Sequence, residues 1–322
     1  MSQYALDDLR IAGITDIGIV IGDVYPEKVK EYYGTGEKFG VNITYIHQDS
    51  PKGISHAIRL CKDFIGDDKF IVYLGDNVLR KNLIEYVKKF EFSDFTAMIL
   101  LCKVDEPQRF GIAQLDQNNS TKIKKIVEKP KNSTSNLAVI GIYFLTPKIF
   151  DVIDTLKPSW RGELEITDAL DLLISHNDKI EYDIVTGWWK DTGTPEDIIH
   201  ANKLVLDSIG TINSFLIDVD SKIEDGIIIG KNTKISDDSI VIGPTIIGKN
   251  CKIGPSAKIG PNASIGNYCL LEKCSIENSI VMDNCTINSK INLSNSIIAQ
   301  GSEIEDNPKK QFLLGERSKI KI

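Results

Sequence analysis

The sequence lacks the features that would place it in a membrane or on a nucleic acid. It has no run of eighteen apolar residues, and its first ten residues show neither the basic start nor the apolar run of a signal peptide. The net charge is -7, with 38 basic and 45 acidic residues, so no basic stripe is available to neutralise phosphates. We therefore expect a cytoplasmic globular protein whose partners are small molecules or proteins, with no nucleic acid and no membrane.

Cysteine is sparse and unpatterned. The six cysteines form no C-x-x-C pair and have no histidine at ligand spacing, which argues against a zinc site. Cys251 and Cys269 are eighteen residues apart, and the repeat described next would stack one above the other, so a disulfide between coils is geometrically conceivable. Because disulfides are rare in cytosolic proteins, we expect buried, free thiols instead.

A six-residue repeat dominates the C-terminal third of the chain. Aliphatic residues recur at every sixth position from Ile217 to Leu271, ten in succession. Asparagine follows two residues after a glycine in several units, at Asn232, Asn250 and Asn262. Both residue types tolerate the left-handed backbone of a tight corner. Since three such units close one triangular coil, the sequence predicts a left-handed parallel β-helix over residues 213–302.

The repeat contains no histidine. Hexapeptide β-helices often belong to acyltransferases, which use a general base that is commonly histidine. The last histidine is His200, before the repeat begins, so we interpret the β-helix as a scaffold or oligomerisation element. After Leu271 the phase of the repeat slips, and we expect irregular final coils. The charged tail at 303–322 is predicted to cap the open end or to extend to a neighbouring chain.

Before the repeat, apolar strands alternate with helices over residues 1–212. The predicted elements are a helix at 3–12, a strand at 17–21, a helix at 28–33, a strand at 43–46, a helix at 53–64 and a strand at 70–74. Continuous apolar strands separated by helices indicate a Rossmann-like α/β domain with a mixed, mostly parallel sheet. Ligands of such sheets bind beyond the carboxyl ends of the strands. Asp76 lies at such a strand end.

Two aspartates from distant segments are candidate metal ligands. Asp76 follows a predicted strand, and Asp191 lies among aromatic and small turn residues at 188–194. Two carboxylates suit Mg²⁺, which prefers a few carboxylates together with substrate phosphates. Between them, Glu128 and Lys129 offer a glutamate for sugar hydroxyls and a lysine for a phosphate. The alternative for each of these residues is a solvated surface charge.

Seven motifs between residues 48 and 194 resemble, in order, those of the glucose-1-phosphate thymidylyltransferases, a sugar-phosphate nucleotidyltransferase family whose long form carries a C-terminal left-handed β-helix. The motifs are Gln48-Asp49-Ser50-Pro51-Lys52-Gly53, Gly75-Asp76-Asn77, Phe110-Gly111, Glu128-Lys129-Pro130, Val139-Ile140-Gly141-Ile142-Tyr143, Arg161-Gly162-Glu163-Leu164-Glu165-Ile166-Thr167-Asp168 and Asp191-Thr192-Gly193-Thr194. With the β-helix, the resemblance covers nearly the whole chain.

The resemblance implies a role for each site residue. Gln48 and Gly53 would read the nucleobase, Asp76 and Asp191 would hold Mg²⁺, Gly111, Glu128 and Val139 would contact the sugar, Tyr143 would line its pocket, and Lys129 would bind the sugar phosphate. The implied catalytic residues are Asp76, Lys129 and Asp191. The implied reaction joins a sugar 1-phosphate, with glucose 1-phosphate favoured, to a nucleoside triphosphate, with dTTP favoured, and releases pyrophosphate. An anionic phosphate nucleophile needs no base, which fits the lack of a nucleophile–histidine constellation.

One family element has no counterpart in the sequence. The resembling enzymes begin with a strand that leads into a glycine-rich, arginine-containing loop for the triphosphate, and a lysine follows it. We expect that strand to be central in the sheet, so that its absence leaves unpaired backbone edges beside its neighbours. We favour a truncated or mis-assigned start of a working enzyme over a remnant. The alternative function is a non-catalytic regulatory or assembly subunit that binds sugar phosphate and forms a homo-oligomer through the β-helix.

Overall fold

The computed structural model describes residues 2–116, 122–208, 222–224 and 226–306. Its contacts divide the chain into two compact units, residues 1–191 and residues 192–322. The predicted core position Ile217 lies outside the described residues, as does the tail from residue 307 onwards. No helix of the described ranges is long and apolar enough to cross a membrane.

The first unit is an α/β domain. Its helices are α1 (Ser2–Ile11), α2 (Pro26–Tyr33), α3 (Ile54–Leu60), α4 (Lys62–Ile65), α5 (Ile84–Glu91), α6 (Lys148–Ile153) and α7 (Ile166–Ser175). Its strands are β1 (Asp16–Ile21), β2 (Asn42–His47), β3 (Phe70–Tyr73), β4 (Asn77–Leu79), β5 (Ala97–Lys103), β6 (Gly111–Leu115), β7 (Ile123–Glu128), β8 (Leu137–Leu145), β9 (Ile180–Ile184) and β10 (Trp189–Asp191). The single helix predicted at 53–64 is two helices, which meet at Cys61.

The main sheet is mixed, as the sequence predicts. Its strands run in the order β7-β6-β8-β5-β9, and β3 also pairs with β8. The pair β5–β9 is parallel, and the other pairs of this sheet are antiparallel, a larger antiparallel share than expected. The reason is β8, which runs opposite to each of its three partners. Strands β1 and β2 form a separate parallel pair, so β1 and β3 each have one paired edge among the described residues.

Both faces of the main sheet are buried. All nine residues of β8 are buried, and alternate residues of β5 and β8 enter two different hydrophobic clusters. Ile99 and Tyr143 face one cluster, which includes residues of α6 and α7, whereas Leu100 and Phe144 face the other, which includes residues of α1 and α5. The continuous apolar runs in the sequence arise from this burial on two sides.

The second unit begins with α8 (Pro195–Asp207) and continues into a parallel β-helix. The strands of the β-helix, β11 to β25, are Lys222–Glu224, Ile227–Ile229, Lys234–Ile235, Ile240–Val241, Thr245–Ile247, Lys252–Ile253, Lys258–Ile259, Ala263–Ile265, Leu270–Glu272, Ser275–Glu277, Ile280–Val281, Thr286–Asn288, Asn292–Ser294, Ile297–Ile298 and Glu303–Glu305. Successive coils stack their strands into three parallel sheets, and β11 pairs antiparallel with β12 at the start.

The predicted aliphatic positions stack inside the β-helix. One column is Ile229, Ile247, Ile265, Val281 and Ile298. The asparagines at the corners have positive φ, including Asn232, Asn250 and Asn262, as their side chains allow. The phase of the repeat slips in the later coils, as expected, because some units lose one residue at the corner, but the strands still stay in register to Glu305.

The cysteines are free thiols in the structure. Cys251 and Cys269 do stack, and the backbone N–H of Cys269 points at Sγ of Cys251 over 3.5 Å, but no disulfide joins them. Both side chains are 2% exposed and pack in the hydrophobic core of the β-helix. They therefore act there as small apolar residues.

Candidate functional site

Asp76 and Asp191 come together through the pairing of β4 with β10. The two strands are antiparallel, and Asp191 lies opposite Asn77, the residue that follows Asp76. No group of three or more His, Cys, Asp and Glu side chains within the described ranges could hold a metal ion. The pairing of β4 with β10 brings the backbone of Asp191 next to Asn77 and thus close to Asp76 in the fold. Two carboxylates suit Mg²⁺ when phosphate oxygens complete the coordination.

Asn77 fixes the orientation of Asp76. Its Nδ2 donates a hydrogen bond to Oδ1 of Asp76 over 2.7 Å. Its Oδ1 accepts from Nε1 of Trp189 at 2.7 Å and from the backbone N–H of Gly141 at 3.2 Å. Asn77 is 3% exposed, so these bonds form away from water. Because Trp189 is on β10 and Gly141 is on β8, one side chain ties three strands together beside the first aspartate.

A second group of charges lies at the end of β7. Nζ of Lys129 is 4.0 Å from Oε1 of Glu128, and Nη1 of Arg161 is 3.6 Å from the same oxygen. Arg161 also contacts Glu165 at 3.4 Å and Glu163 at 2.9 Å. Glu128 therefore lies between two cations. The same two cations can neutralise a phosphate that binds next to Glu128.

The backbone at Lys129 is unusual. Its φ is 41°, in the left-handed region that residues other than glycine rarely adopt. Its backbone N–H donates to the carbonyl of Phe110 over 3.1 Å, and Pro130 follows it. Such conformations cost about 1–3 kcal/mol and persist where the surrounding structure holds them, often at ligand sites. The position of Lys129 is thus set by its backbone as well as by its ion pair.

Thr167 completes the surroundings of Glu128. Oγ1 of Thr167 donates to Oε2 of Glu128 over 3.0 Å. Burial raises the pKa of Glu128 and the nearby Glu165 adds to this, whereas the hydrogen bond from Thr167 and the cations Lys129 and Arg161 lower it. The carboxyl group of Glu128 is thus partly desolvated and held in place by Thr167, Lys129 and Arg161. Such a fixed carboxylate suits a group that accepts hydrogen bonds from sugar hydroxyls.

Gly111 lies opposite Glu128 in the pairing of β6 with β7. A Cβ at this position would lie 2.4 Å from Cγ2 of Thr167 and 3.2 Å from Oε2 of Glu128. The glycine therefore leaves room for the contact between Thr167 and Glu128. This packing explains the residue type without any ligand.

Val139 and Tyr143 lie on β8 and are 6% and 4% exposed. Burial, followed by the charges of Glu128 and Asp76, raises the pKa of Tyr143 well above its usual value. Since both carboxylates act on one phenol, the aspartate pair and the Glu128 group belong to one part of the first unit. Val139 and Tyr143 contribute to the packed core beneath this region.

Gln48 begins and Gly53 ends the segment that connects β2 to α3. The backbone N–H of Gln48 donates to the carbonyl of Ile21 over 2.8 Å, directly after β2. Gly53 has a φ of 100°, and a Cβ there would lie 2.5 Å from the carbonyl oxygen of Leu164. Packing against Leu164 therefore requires glycine at position 53, while its part in reading a nucleobase stays a prediction.

Three residues outside the predicted site set belong to its geometry: Asn77, Arg161 and Thr167. Each lies inside a motif that the sequence singles out, and Asn77 directly follows the predicted site residue Asp76. Their importance comes from contacts with distant segments, such as Asn77 with Trp189 and Arg161 with Glu128. A single sequence carries no signal of such contacts. The sequence could point to these three residues only through the motifs that contain them, at 75–77 and 161–168.

Two family descriptions match the sequence. Residues 1–208 match the family described as "Nucleotidyl transferase", and residues 241–321 match the one described as "GMPPB C-terminal domain". The first match covers the whole region in which the candidate site lies.

Curated relatives and solved structures agree with these matches. A low-salt glycan biosynthesis nucleotidyltransferase of Haloferax volcanii is 48% identical over 64% of this chain and 57% of its own length, so the chain spans little more than half of that relative. A glucose-1-phosphate thymidylyltransferase of Streptomyces antibioticus is 35% identical over 99% of this chain and 90% of its own. A crystal structure from Bacillus anthracis, assigned to a glucose-1-phosphate thymidylyltransferase and bound to sucrose, superposes with a TM-score of 0.60 at 40% identity, over 66% of this chain and 82% of that one.

Proposed function

Because this chain belongs to the nucleotidyl transferase family, we propose that it transfers a nucleotidyl group from a nucleoside triphosphate to a sugar 1-phosphate. The products are a nucleoside diphosphate sugar and pyrophosphate. We favour glucose 1-phosphate and dTTP, because Streptomyces relatives at 35% and 34% identity over nearly the whole chain are named glucose-1-phosphate thymidylyltransferases. UTP is the next candidate, since a Haloferax volcanii relative at 36% identity is named a uridylyltransferase.

The observation that carries this proposal is the pairing of β4 with β10. It places Asp191 opposite Asn77, which in turn holds Asp76 by a 2.7 Å hydrogen bond. Two carboxylates at adjacent ends of paired strands, Asp76 just before β4 and Asp191 at the end of β10, match the needs of a reaction that moves charged phosphates and uses no covalent intermediate. Asp76 and Asp191 would hold Mg²⁺, which would supply positive charge to the triphosphate.

The chain's own residues account for binding of the acceptor. An oxygen of the sugar 1-phosphate attacks the α-phosphorus, the bond from that phosphorus to the bridging oxygen breaks, and pyrophosphate leaves with both electrons of the bond. Lys129 and Arg161 neutralise the acceptor phosphate, and Glu128 accepts hydrogen bonds from sugar hydroxyls. The nucleophile is already an anion, so no side chain needs to remove a proton.

The test is release of pyrophosphate from dTTP and glucose 1-phosphate in the presence of Mg²⁺. We expect Asp76→Asn and Asp191→Asn each to lower turnover by about 100-fold or more, because each removes a charge that faces the metal and the phosphates. Asp151→Asn, at an exposed position on α6, is the matched control and should keep normal turnover. Normal turnover in both site variants would contradict the metal assignment.

The same assay separates the enzyme from a regulatory subunit. A subunit of that kind would bind glucose 1-phosphate in calorimetry and release no pyrophosphate with any nucleoside triphosphate. Lys129→Met should weaken that binding in either case, because it removes a cation beside Glu128. A cytoplasmic location and self-association through the β-helix are part of the proposal, and sedimentation velocity of the full chain tests the second.

A further inference from the structure

His56 is a buried polar residue that the proposed reaction does not use. It lies on α3 and is 5% exposed. Its Nδ1 is 3.0 Å from Nε2 of Gln48, the residue expected to read the nucleobase. The backbone of Gln48 is fixed by its hydrogen bond to Ile21. Oε1 of Gln48 has no hydrogen-bond partner within the described part of the chain.

The chemistry of the two side chains decides the direction of this hydrogen bond. An amide nitrogen carries two hydrogens and cannot accept, so Nε2 of Gln48 is the donor and Nδ1 of His56 is the acceptor. The imidazole must then be neutral, with its proton on Nε2. Burial and the cations Arg59 and Lys52 lower the pKa of His56, against the opposite influence of Asp49, which favours the neutral ring at neutral pH.

We propose that His56 is a positioning residue that holds the Gln48 amide in one orientation and thereby sets the nucleobase preference. With Nε2 committed to His56, Oε1 is the atom that Gln48 offers to a base. A carbonyl oxygen accepts the N3–H of uracil or thymine and is repelled by N3 of cytosine, which is itself an acceptor. The inference rests on the proposed function and on the predicted role of Gln48 in that function.

UTP and CTP are the probes that test this orientation, because they differ only at the base edge that Gln48 would face. Wild type should prefer UTP. His56→Leu removes the acceptor, lets the amide rotate, and should lower the ratio of UTP to CTP affinity by about tenfold, the effect of one mismatched buried hydrogen-bonding group. His56→Asn places an oxygen near the position of Nδ1 and should restore the preference.

The readouts are the affinities of both nucleotides by calorimetry and the tautomer of His56 by ¹⁵N NMR. An unchanged ratio in a folded His56→Leu variant, or a proton on Nδ1 in the wild type, would overturn the inference while leaving the proposed function intact. Absence of both binding and turnover with every nucleotide in the wild type would reject the proposed function itself. Should His56→Leu not fold, the tautomer and the ratio in His56→Asn still decide.

Discussion

Asp8 shows how one partly buried carboxyl group affects the stability of the first unit. Oη of Tyr73, on β3, donates to Oδ2 of Asp8, on α1, over 2.9 Å. Burial raises the pKa of Asp8 from 3.8 to about 6, against the lowering effect of this hydrogen bond. The folded state therefore keeps a proton that the unfolded state has lost between about pH 4 and pH 6. Since the folded state binds more protons in this window, stability decreases as the pH rises through it.

Asp8→Asn is predicted to remove this pH dependence. The amide oxygen can still accept from Tyr73, but no charge is buried when the pH is high. We expect the variant to be more stable than wild type by about 1–2 kcal/mol at pH 7.5 and close to wild type at pH 4. Thermal unfolding followed by circular dichroism at both pH values measures this. Asp63→Asn, at an exposed position, is the control, and a difference for Asp8→Asn that stays constant with pH would contradict the argument.

The sequence was enough to identify the charged residues of the site, but not the side chains that contact them. Asp76, Asp191, Glu128 and Lys129 are recognisable because a charged residue at a strand end or within a motif stands out locally. The hydrogen bond from Asn77 to Asp76 and the ion pair of Arg161 with Glu128 depend on coordinates that the local sequence does not encode.

At the scale of secondary-structure elements, β6 and α7 pack tightly against each other at Gly111 and Thr167. A Cβ on Gly111 would lie 2.4 Å from Cγ2 of Thr167, whose hydroxyl donates to Glu128. Gly111→Ala should therefore push the start of α7 away from β6, at a cost of about 1–3 kcal/mol, and weaken binding of the sugar phosphate. Chemical denaturation and calorimetry with glucose 1-phosphate measure the two effects.

Thr167→Ser provides the matched rescue. It removes the methyl group that the new Cβ would strike and keeps the hydroxyl that donates to Glu128. The double variant should recover much of the stability and the binding, so the two substitutions should couple by about 1 kcal/mol or more in a double-mutant cycle. Strictly additive effects would show that the two residues do not meet as the structure places them.

Elements with local causes were predictable, and elements with distant partners were not. The β-helix follows from a repeat in which each six-residue unit has the same strand and corner, so its strands are visible one unit at a time. The later coils kept their register because a corner can lose one residue without moving the stacked aliphatics, as between Leu271 and Ile276. The three antiparallel partners of β8 are set by distant segments, which is why the sheet has more antiparallel pairs than predicted.

At the scale of the whole molecule, each unit has hydrophobic clusters of its own. The clusters that contain Leu100 and Ile99 draw on residues of the first unit, and the cluster around Ile253 draws on the β-helix. Two separate family matches, residues 1–208 and residues 241–321, also divide the chain, although the first match extends past residue 191 to include α8. Separate cores predict separate stabilities, because burial of apolar surface is the main term that favours folding in each.

Differential scanning calorimetry of the full chain should therefore show two transitions. Ile253→Ala removes a side chain that is 0% exposed in the β-helix. It should lower the midpoint temperature of one transition, because it reduces the free energy of unfolding of the β-helix by about 2–5 kcal/mol. Leu100→Ala, also at 0% exposure, should lower the other transition. Ile240→Ala, at a position that is 57% exposed, is the control. It should change the free energy of unfolding by no more than about 0.5 kcal/mol and leave both transition midpoints nearly unchanged. A single transition that both core substitutions lower equally would mean that the two cores unfold as one cooperative unit.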